Sequence, residues 1–462
     1  MKKTISVILS VMMLCIALYV PLIVGAASSS KGGEPTLLTN GPVTDEITVD
    51  SGEKRNLLDH STANNHPTWS KNKDTINGET VVYQEPVLFY TDNGNVRSNV
   101  KLMYPVENIV AVTSYTTIGG AFKWYREGTD FTVNIDGTIS LTDDSSIPHS
   151  INLSEIKYGI GTSGIWNSAF TWESQLPKNQ VLVTYTYTKT WDGVDYSVPT
   201  YYNSISTAYD KLSNGDTLDV LFIGDSISTG SSASGQDGTF YPYRSDSVGN
   251  TTTIQGWKSY LGLNTKPYWV NDSWDKQVVA NIKAEYPNAT INVKNRSVGS
   301  SASQWYFNHI DELLVTGTFG DVGLENTDLI FIGFGMNEGG NTAAIQNANT
   351  KKIIDYLRDK NPDVSIVLVS AFYPIFWDSN NQKWTNYRLG EQEDGYFELA
   401  EQYENIAVAP VNTAFVNILK AKEGVDYIAN GINHPNDYGV NLYADTITAT
   451  ILSCNHKHTT VH

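Results

Sequence analysis

Cysteine is nearly absent: the 462 residues contain two, Cys15 and Cys454. Cys15 sits inside an apolar N-terminal stretch with no small residue before it, which argues against a lipid-attachment motif. If that stretch is removed, Cys454 is the only cysteine left, no intrachain disulfide can form, and stability must come from packing. Basic residues are also few. Lys and Arg total 31 against 49 Asp and Glu, a formal net charge of -18. Nucleic acid as a partner is excluded on this ground, because phosphate binding needs a basic face and its counterion release. Electrostatic docking to anionic lipid is disfavoured for the same reason. Long apolar runs are missing too, apart from the one that starts the chain.

That run has the form of a secretory signal. Lys2 and Lys3 are the positive start, Ile5 to Val24 the apolar core, and Val24-Gly25-Ala26 a small-residue cleavage site. The expectation is a secreted, extracellular protein cleaved near Ala26 and free of the membrane thereafter. The rival reading, a membrane anchor, is weakened by the small-residue exit and by Ser28-Ser29-Ser30-Lys31 after it. With 40% hydrophobic and 17% charged residues the chain can build a core. Its length exceeds one ordinary domain, so two are expected.

The pattern of apolar residues divides the rest. Residues 28–75 are rich in Ser, Gly, Thr, Asn and Asp and read as a linker or loosely ordered extension. From 76 to 199 come short alternating or β-branched runs: Thr80-Val81-Val82-Tyr83, Ile109-Val110-Ala111-Val112, Phe131-Thr132-Val133 and Val181-Leu182-Val183-Thr184-Tyr185. Asp136-Gly137 between two of them is a hairpin turn, since both residue types tolerate positive φ. A small all-β, sandwich-like domain is expected there. From 200 to 455 continuous apolar strands alternate with helical stretches. The strands are Val220 to Ile223, Ile291 to Val293, Leu329 to Ile332, Val364 to Val369 and Ile406 to Val408. Helices fit Trp274 to Ala284, Ala344 to Arg358 and Tyr438 to Leu452. Buried strands separated by helices make a parallel sheet covered on both faces, here five-stranded, with ligands at the carboxyl ends of the strands. Residues 456–462 form a tail.

Several of those strand ends carry chemistry. The first runs into Gly224-Asp225-Ser226, the second into Asn295-Arg296-Ser297-Val298-Gly299-Ser300, and the third into Gly335-Met336-Asn337-Glu338. A serine opening a turn at the sheet edge can present its hydroxyl and its N–H to one acyl group. An acyl-transfer site also needs fixed N–H donors about 3 Å from the developing oxyanion, which a main-chain N–H near Gly299 and the Asn337 amide can supply. Late in the chain, Asn433-His434-Pro435-Asn436-Asp437 precedes the last helix. Pro435 biases His434 to an extended backbone, and a histidine on a rigid loop suits a general base reaching Ser226. Each fragment alone fits a cap or a turn equally well; the combination points to a nucleophile with its base.

These four segments resemble, in order, the four blocks of the SGNH (GDSL-type) hydrolase family, over about residues 200–455. The resemblance implies a three-layer, flavodoxin-like domain and a serine esterase mechanism that needs no cofactor and no metal. Ser226 would be the nucleophile and His434 the base. The oxyanion donors would be the Ser226 N–H, a main-chain N–H of Gly299 or Ser300, and Asn337. A β domain ahead of the hydrolase, Phe334-Gly335-Met336-Asn337 and Asn433-His434-Pro435-Asn436-Asp437 are similar to the branch acting on carbohydrate acetyl esters, which makes an acetylated polysaccharide or oligosaccharide the expected partner. Two positions depart from the family pattern. The second-block glycine, five residues after the asparagine, is here Ser300, with Gly299 one earlier. The aspartate three residues before the histidine is here Gly431. His434 is then oriented by a backbone or amide oxygen, as a Ser-His dyad, or by Asp426 or Asp437.

Other readings stay in view. A lipid or aryl esterase on the same fold would want an apolar trough, and the Thr229 to Tyr243 loop is polar. A non-catalytic glycan-binding cell-surface protein could retain the fold without the acid. A metal-dependent deacetylase would need ligands, and Cys454, His456, His458 and His462 match no common zinc spacing. Trp305, Tyr306 and Trp377 follow strand ends and suit either a sugar subsite or ordinary packing.

Overall fold

The computed structural model describes residues 45–58, 73–92, 94–116, 118, 121–151, 176–197, 205–231, 272–317, 320–373, 388–429 and 433–454, with the backbone of one pair of short strands at 36–37 and 41–42. The expected signal segment, the tail, Gly431, Trp377 and most of the Thr229 to Tyr243 loop lie outside these residues.

The N-terminal region is antiparallel throughout its described sheets. A hairpin of β1 (Glu46–Thr48) and β2 (Lys54–Asn56) opens it. The four-stranded sheet is built from β3 (Thr75–Ile76), β4 (Glu79–Val87), β6 (Asn108–Ser114) and β9 (Val181–Tyr187), in the order β6-β9-β4-β3. A three-stranded sheet joins β5 (Asn99–Val100) to the hairpin of β7 (Phe131–Val133) and β8 (Ile139–Leu141). The turn of that hairpin is at Asp136-Gly137, where Gly137 has φ 84° and a Cβ would strike Pro105. The hairpin β1–β2 corrects the reading of 28–75 as a linker. Ile47, Val49 and Leu57 supply enough apolar surface to cover Val81, Tyr83 and Val110 on one face of the four-stranded sheet, so polar composition around them did not prevent folding.

The C-terminal region is a parallel sheet of β10 (Thr217–Gly224), β11 (Thr290–Asn295), β12 (Leu329–Gly333), β13 (Ser365–Val369) and β14 (Ile406–Ala409), in the order β11-β10-β12-β13-β14. Strand side chains alternate between faces, and the two faces are both apolar. Leu221, Ile223, Ile330, Ile332, Ile366 and Leu368 meet α4 (Ala343–Lys360) and α5 (Leu389–Ala400) through Ile353, Leu357 and Leu399. Val220, Phe222, Phe331, Val367 and Ala407 meet α2 (Trp274–Glu285), α6 (Val411–Ile418) and α7 (Asp437–Ser453) through Val278, Phe415 and Ile447. Three layers follow. Two further helices are α1 (Ser206–Asn214) and α3 (Ser303–Asn308). Among the described residues no helix is long and apolar enough to cross a membrane.

The second face of the four-stranded β sheet does not close a core of its own. Val82, Val183 and Tyr185 belong to the same apolar cluster as α6 and α7, and Thr36–His462 form one compact unit. A buried ion pair crosses the junction: Lys422 Nζ lies 2.7 Å from Glu85 Oε1, both side chains being 0% exposed. Lys422 also donates to the Pro86 carbonyl, and Glu85 accepts from Tyr185 Oη and Met103 N. Removing one member of such a pair strands the other charge in apolar surroundings. Lys422→Met is therefore expected to lower the free energy of unfolding by about 3–5 kcal/mol, read from urea denaturation; a loss below about 1 kcal/mol would show that Glu85 does not depend on it.

Candidate active site

Strand β10 ends at Gly224, whose position tolerates no side chain: a Cβ there would run into Ser228 Oγ and the Gly333 carbonyl. The chain then turns over Asp225 to Ser231, with Thr229 N bonded to Asp225 O and Ser231 N to Ser226 O. This turn lifts Ser226 to the carboxyl edge of the sheet, where it is 6% exposed. Its Oγ lies 3.0 Å from His434 Nε2, although the two residues are 208 positions apart.

His434 is held by its own backbone. An antiparallel bridge joins Ile428 to Pro435, Ala429 N donates to the His434 carbonyl, and Asn436 N donates to the Tyr427 carbonyl. Asn436 then caps α7, its side chain accepting from Gly439 N. The sequence Asn-His-Pro-Asn thus ends a narrow two-armed loop and starts a helix.

Asn295 ties the second strand to the first. Its Nδ2 donates to the Ser228 carbonyl and to Asp275 Oδ2, and its Oδ1 accepts from Ser297 N. The Gly224 carbonyl in turn accepts from Val298 N and Ser301 Oγ. Asn337 sits in the single turn Met336–Glu338 and donates from Nδ2 to the Ser301 carbonyl, 2.9 Å away. The three expected strand ends therefore form one hydrogen-bonded edge. Below it, the Glu338 carboxylate accepts from Ser303 N and Oγ at the start of α3 and from Gln346 Nε2. Burial holds the Glu338 carboxyl above its usual range. Trp305 stacks on His309, ring centroids 4.3 Å apart. Tyr306 is wholly buried and donates to the Arg296 carbonyl, so it is a packing residue and not a sugar subsite.

The GDSL-like lipase/acylhydrolase family model matches residues 222–442. Those residues form a GDSL-type (SGNH) hydrolase domain. Among solved structures, the chain is similar to a two-domain esterase (CEX) active on acetylated mannans, with 15% identity over 58% of this chain and 59% of that one and a TM-score of 0.38. It is also similar to the acetylxylan esterase Axe2 of Geobacillus stearothermophilus, with 19% identity over 52% and 95% of the chains and a TM-score of 0.35. A third, the α/β hydrolase LAE5 from the metagenome of Lake Arreo, gives 15%, 52%, 97% and 0.36 in the same terms. No curated protein matches the chain.

One departure from the GDSL-type pattern has a structural counterpart; the other, Gly431, lies outside the described residues. Ser300 adopts φ 60°, the left-handed region that favours glycine. The residue five positions after Asn295 thus has a backbone that suits glycine, with a serine in it. Asp426, one of the two carboxylates considered as an orienting acid, is committed elsewhere. Its Oδ1 accepts from Leu88 N and Arg97 Nη1 and its Oδ2 from Arg97 Nη2, all in the β region, and the side chain is 0% exposed. That correction follows from charge: a fully buried carboxylate needs its cation, and Arg97 is the one that faces it. Asp437 opens α7, buried, with its N–H 3.1 Å from the Tyr115 hydroxyl. Cys454 is buried, which pushes its thiol up to about 12; the three histidines of the tail lie outside the described residues.

Sequence reading overlooked Asp225. It is buried beside the Ser226–His434 pair, and burial raises its carboxyl from the ordinary 3.8 to about 7, with the Ile227 N–H and a charged His434 pulling the other way. The sign of the linkage is fixed by that direction. Between about pH 4 and pH 7 the unfolded chain has lost a proton that the fold still keeps, so rising pH favours unfolding. The stability this group contributes is complete below the ordinary aspartate value and is lost as pH climbs through 7. Asp225→Asn removes the effect: urea denaturation at pH 4 and pH 8 should show the variant gaining on wild type at the higher pH, and an equal difference at both would refute it. Ser300→Gly should add about 1 kcal/mol of stability by relieving the left-handed serine; a destabilised variant would show that the serine side chain matters more than its φ.

Proposed function

We propose that this GDSL-type hydrolase is a secreted serine esterase that removes O-acetyl groups from a polysaccharide through an acyl-enzyme on Ser226. The observation that carries the reading is the 3.0 Å contact between Ser226 Oγ and His434 Nε2. At that distance His434 Nε2 takes the hydroxyl proton as Oγ bonds to the ester carbonyl carbon. The electron pair moves to the carbonyl oxygen. It returns as the C–O bond to the sugar breaks, and the imidazolium protonates the leaving sugar oxygen. Water, deprotonated by His434, then attacks the acetyl-serine; Ser226 recovers its proton and acetate leaves.

The oxyanion is assigned to the Ser226 N–H, a main-chain N–H at Gly299 or Ser300, and Asn337. A primary amide has two N–H donors. The bond from Asn337 Nδ2 to the Ser301 carbonyl fixes the plane of the amide and leaves a second N–H for the substrate. Carbohydrate specificity rests on the β region ahead of the hydrolase domain and on the segments Phe334 to Asn337 and Asn433 to Asp437. Secretion rests on Lys2, Lys3 and the apolar Ile5 to Val24.

The test is acetate release from a panel of acetylated plant and bacterial polysaccharides. Ser226→Ala and His434→Ala should each lower turnover by at least about 10³-fold, and Asn337→Ala by about 10²–10³-fold, mainly in kcat. Acetate release by Ser226→Ala at the wild-type rate would end the proposal. Failure of an organophosphate to label Ser226 would favour the glycan-binding reading instead.

A further inference from the structure

The loop that carries His434 is held from outside the hydrolase domain. Gln180 follows the single helical turn Leu176–Asn179 and precedes β9, so it belongs to the β region. Its side chain is 1% exposed and reaches across the junction. Nε2 lies 2.9 Å from the Val425 carbonyl, 3.3 Å from that of Asp426 and 3.0 Å from that of Ile428. Oε1 accepts from Asn436 Nδ2 at 3.3 Å. One side chain therefore grips both arms of the loop: the outgoing arm through three carbonyls, the returning arm through Asn436. Asn436 closes the ring by donating to the Asp426 carbonyl at 2.8 Å. Between the gripped points the arms are joined only one residue from the histidine, by the Ile428–Pro435 bridge and the bond from Ala429 N to the His434 carbonyl.

We propose that Gln180 is a positioning residue for His434, fixing the backbone of 425–428 against Asn436 so that Nε2 stays within hydrogen-bond reach of Ser226 Oγ. The proposal rests on the reading of Ser226 and His434 as nucleophile and base. Three observations favour positioning over plain packing. All the side-chain contacts of Gln180 named above fall on the base-bearing loop or its capping residue. Two further residues of the β region grip the same segment, Arg97 through Asp426 and Tyr115 through the Asp437 N–H. And Asp426, on the outgoing arm, is paired with Arg97 of the β region at 2.8 Å, its side chain fully buried, so that arm is anchored to the β region by charge as well as by amide hydrogen bonds. A displacement of about 1 Å at a reacting group can lower a rate on the order of 10²-fold.

The experiment compares full-length wild type, Gln180→Leu, Tyr115→Phe, Arg55→Leu and Ser226→Ala on p-nitrophenyl acetate, with thermal midpoints measured in parallel. Gln180→Leu keeps the bulk of the side chain and removes its amide. Its kcat should fall by about 10- to 100-fold with KM within about two-fold of wild type. Tyr115→Phe should lower kcat by a smaller factor in the same pattern. Arg55 pairs with Asp74 next to the N-terminal hairpin and touches no part of the loop, so Arg55→Leu should lower the thermal midpoint and leave kcat unchanged. If Gln180→Leu, folded at the assay temperature, turns over within about three-fold of wild type while Ser226→Ala is inactive, positioning by Gln180 is overturned and the esterase reading stands. If Ser226→Ala is itself active, the esterase reading falls first. Should Gln180→Leu not fold, Tyr115→Phe decides: a kcat equal to wild type overturns the proposal.

Discussion

The backbone on either side of His434, residues 425–429 and 433–436, lies where the β region meets the hydrolase domain and has to satisfy its carbonyls and N–H groups there. Main chain in that position is tolerated only when each polar group finds a partner. The hydrolase domain supplies some of them through the bridge at Ile428 and Pro435. Others come from the β region: Gln180 for carbonyls of the outgoing arm, the Tyr115 hydroxyl for the first N–H of α7, and Leu88 N with Arg97 for the Asp426 side chain. The apolar cluster shared between Tyr185 and Ile447 and the buried Lys422–Glu85 pair are the packing side of the same arrangement. Two regions that differ in strand direction thus make one core, and the segment between them is the one that carries His434.

The other half of the site follows from how closely the middle strands of the parallel sheet approach. Gly224 and Gly333 lie opposite each other in register. With no side chain at either, the Ser226 turn folds down until Ser228 Oγ reaches the Gly333 carbonyl. Asp225 is buried by that same descent. Its carboxyl is kept as an acid up to about pH 7 because the turn removes it from water. Asn295 and Asn337 are placed by the same edge, each spending amide hydrogens on carbonyls of a neighbouring loop.

The alternation of apolar strands and helices made the five-stranded sheet legible in the sequence, since a strand buried on both faces leaves few alternatives. Ser226, Asn337 and His434 could be named because each ends or begins an element whose period was clear. Residues whose roles depend on long-range contact were not legible. Nothing around Asp426 announces Arg97, 329 positions away, and a glutamine before a strand carries no sign of Gln180's reach. Ile47, Val49 and Leu57 were missed because three apolar residues among many polar ones register as composition, whereas on a hairpin they form a face. Ser300 was legible as a departure, but its φ of 60°, a backbone that favours glycine, was not.

Orientation and charge compensation of a catalytic base are separable. A carboxylate on the far side of an imidazole does both: it fixes the ring and it faces the positive charge that forms when the ring takes a proton. A clamp of amides on the surrounding backbone does only the first. In this chain Asp426 already balances Arg97, leaving little of its field for the histidine. Asp225 is a buried carboxyl next to the pair, and a charged His434 favours its ionisation. Asp225 thus lies on the serine side of the Ser226–His434 hydrogen bond, within the turn that carries Ser226, while Gln180 of the β region reaches the backbone on either side of His434. Both features accompany a His434 Nε2 that lies 3.0 Å from the Ser226 hydroxyl oxygen in a chain with glycine at position 431.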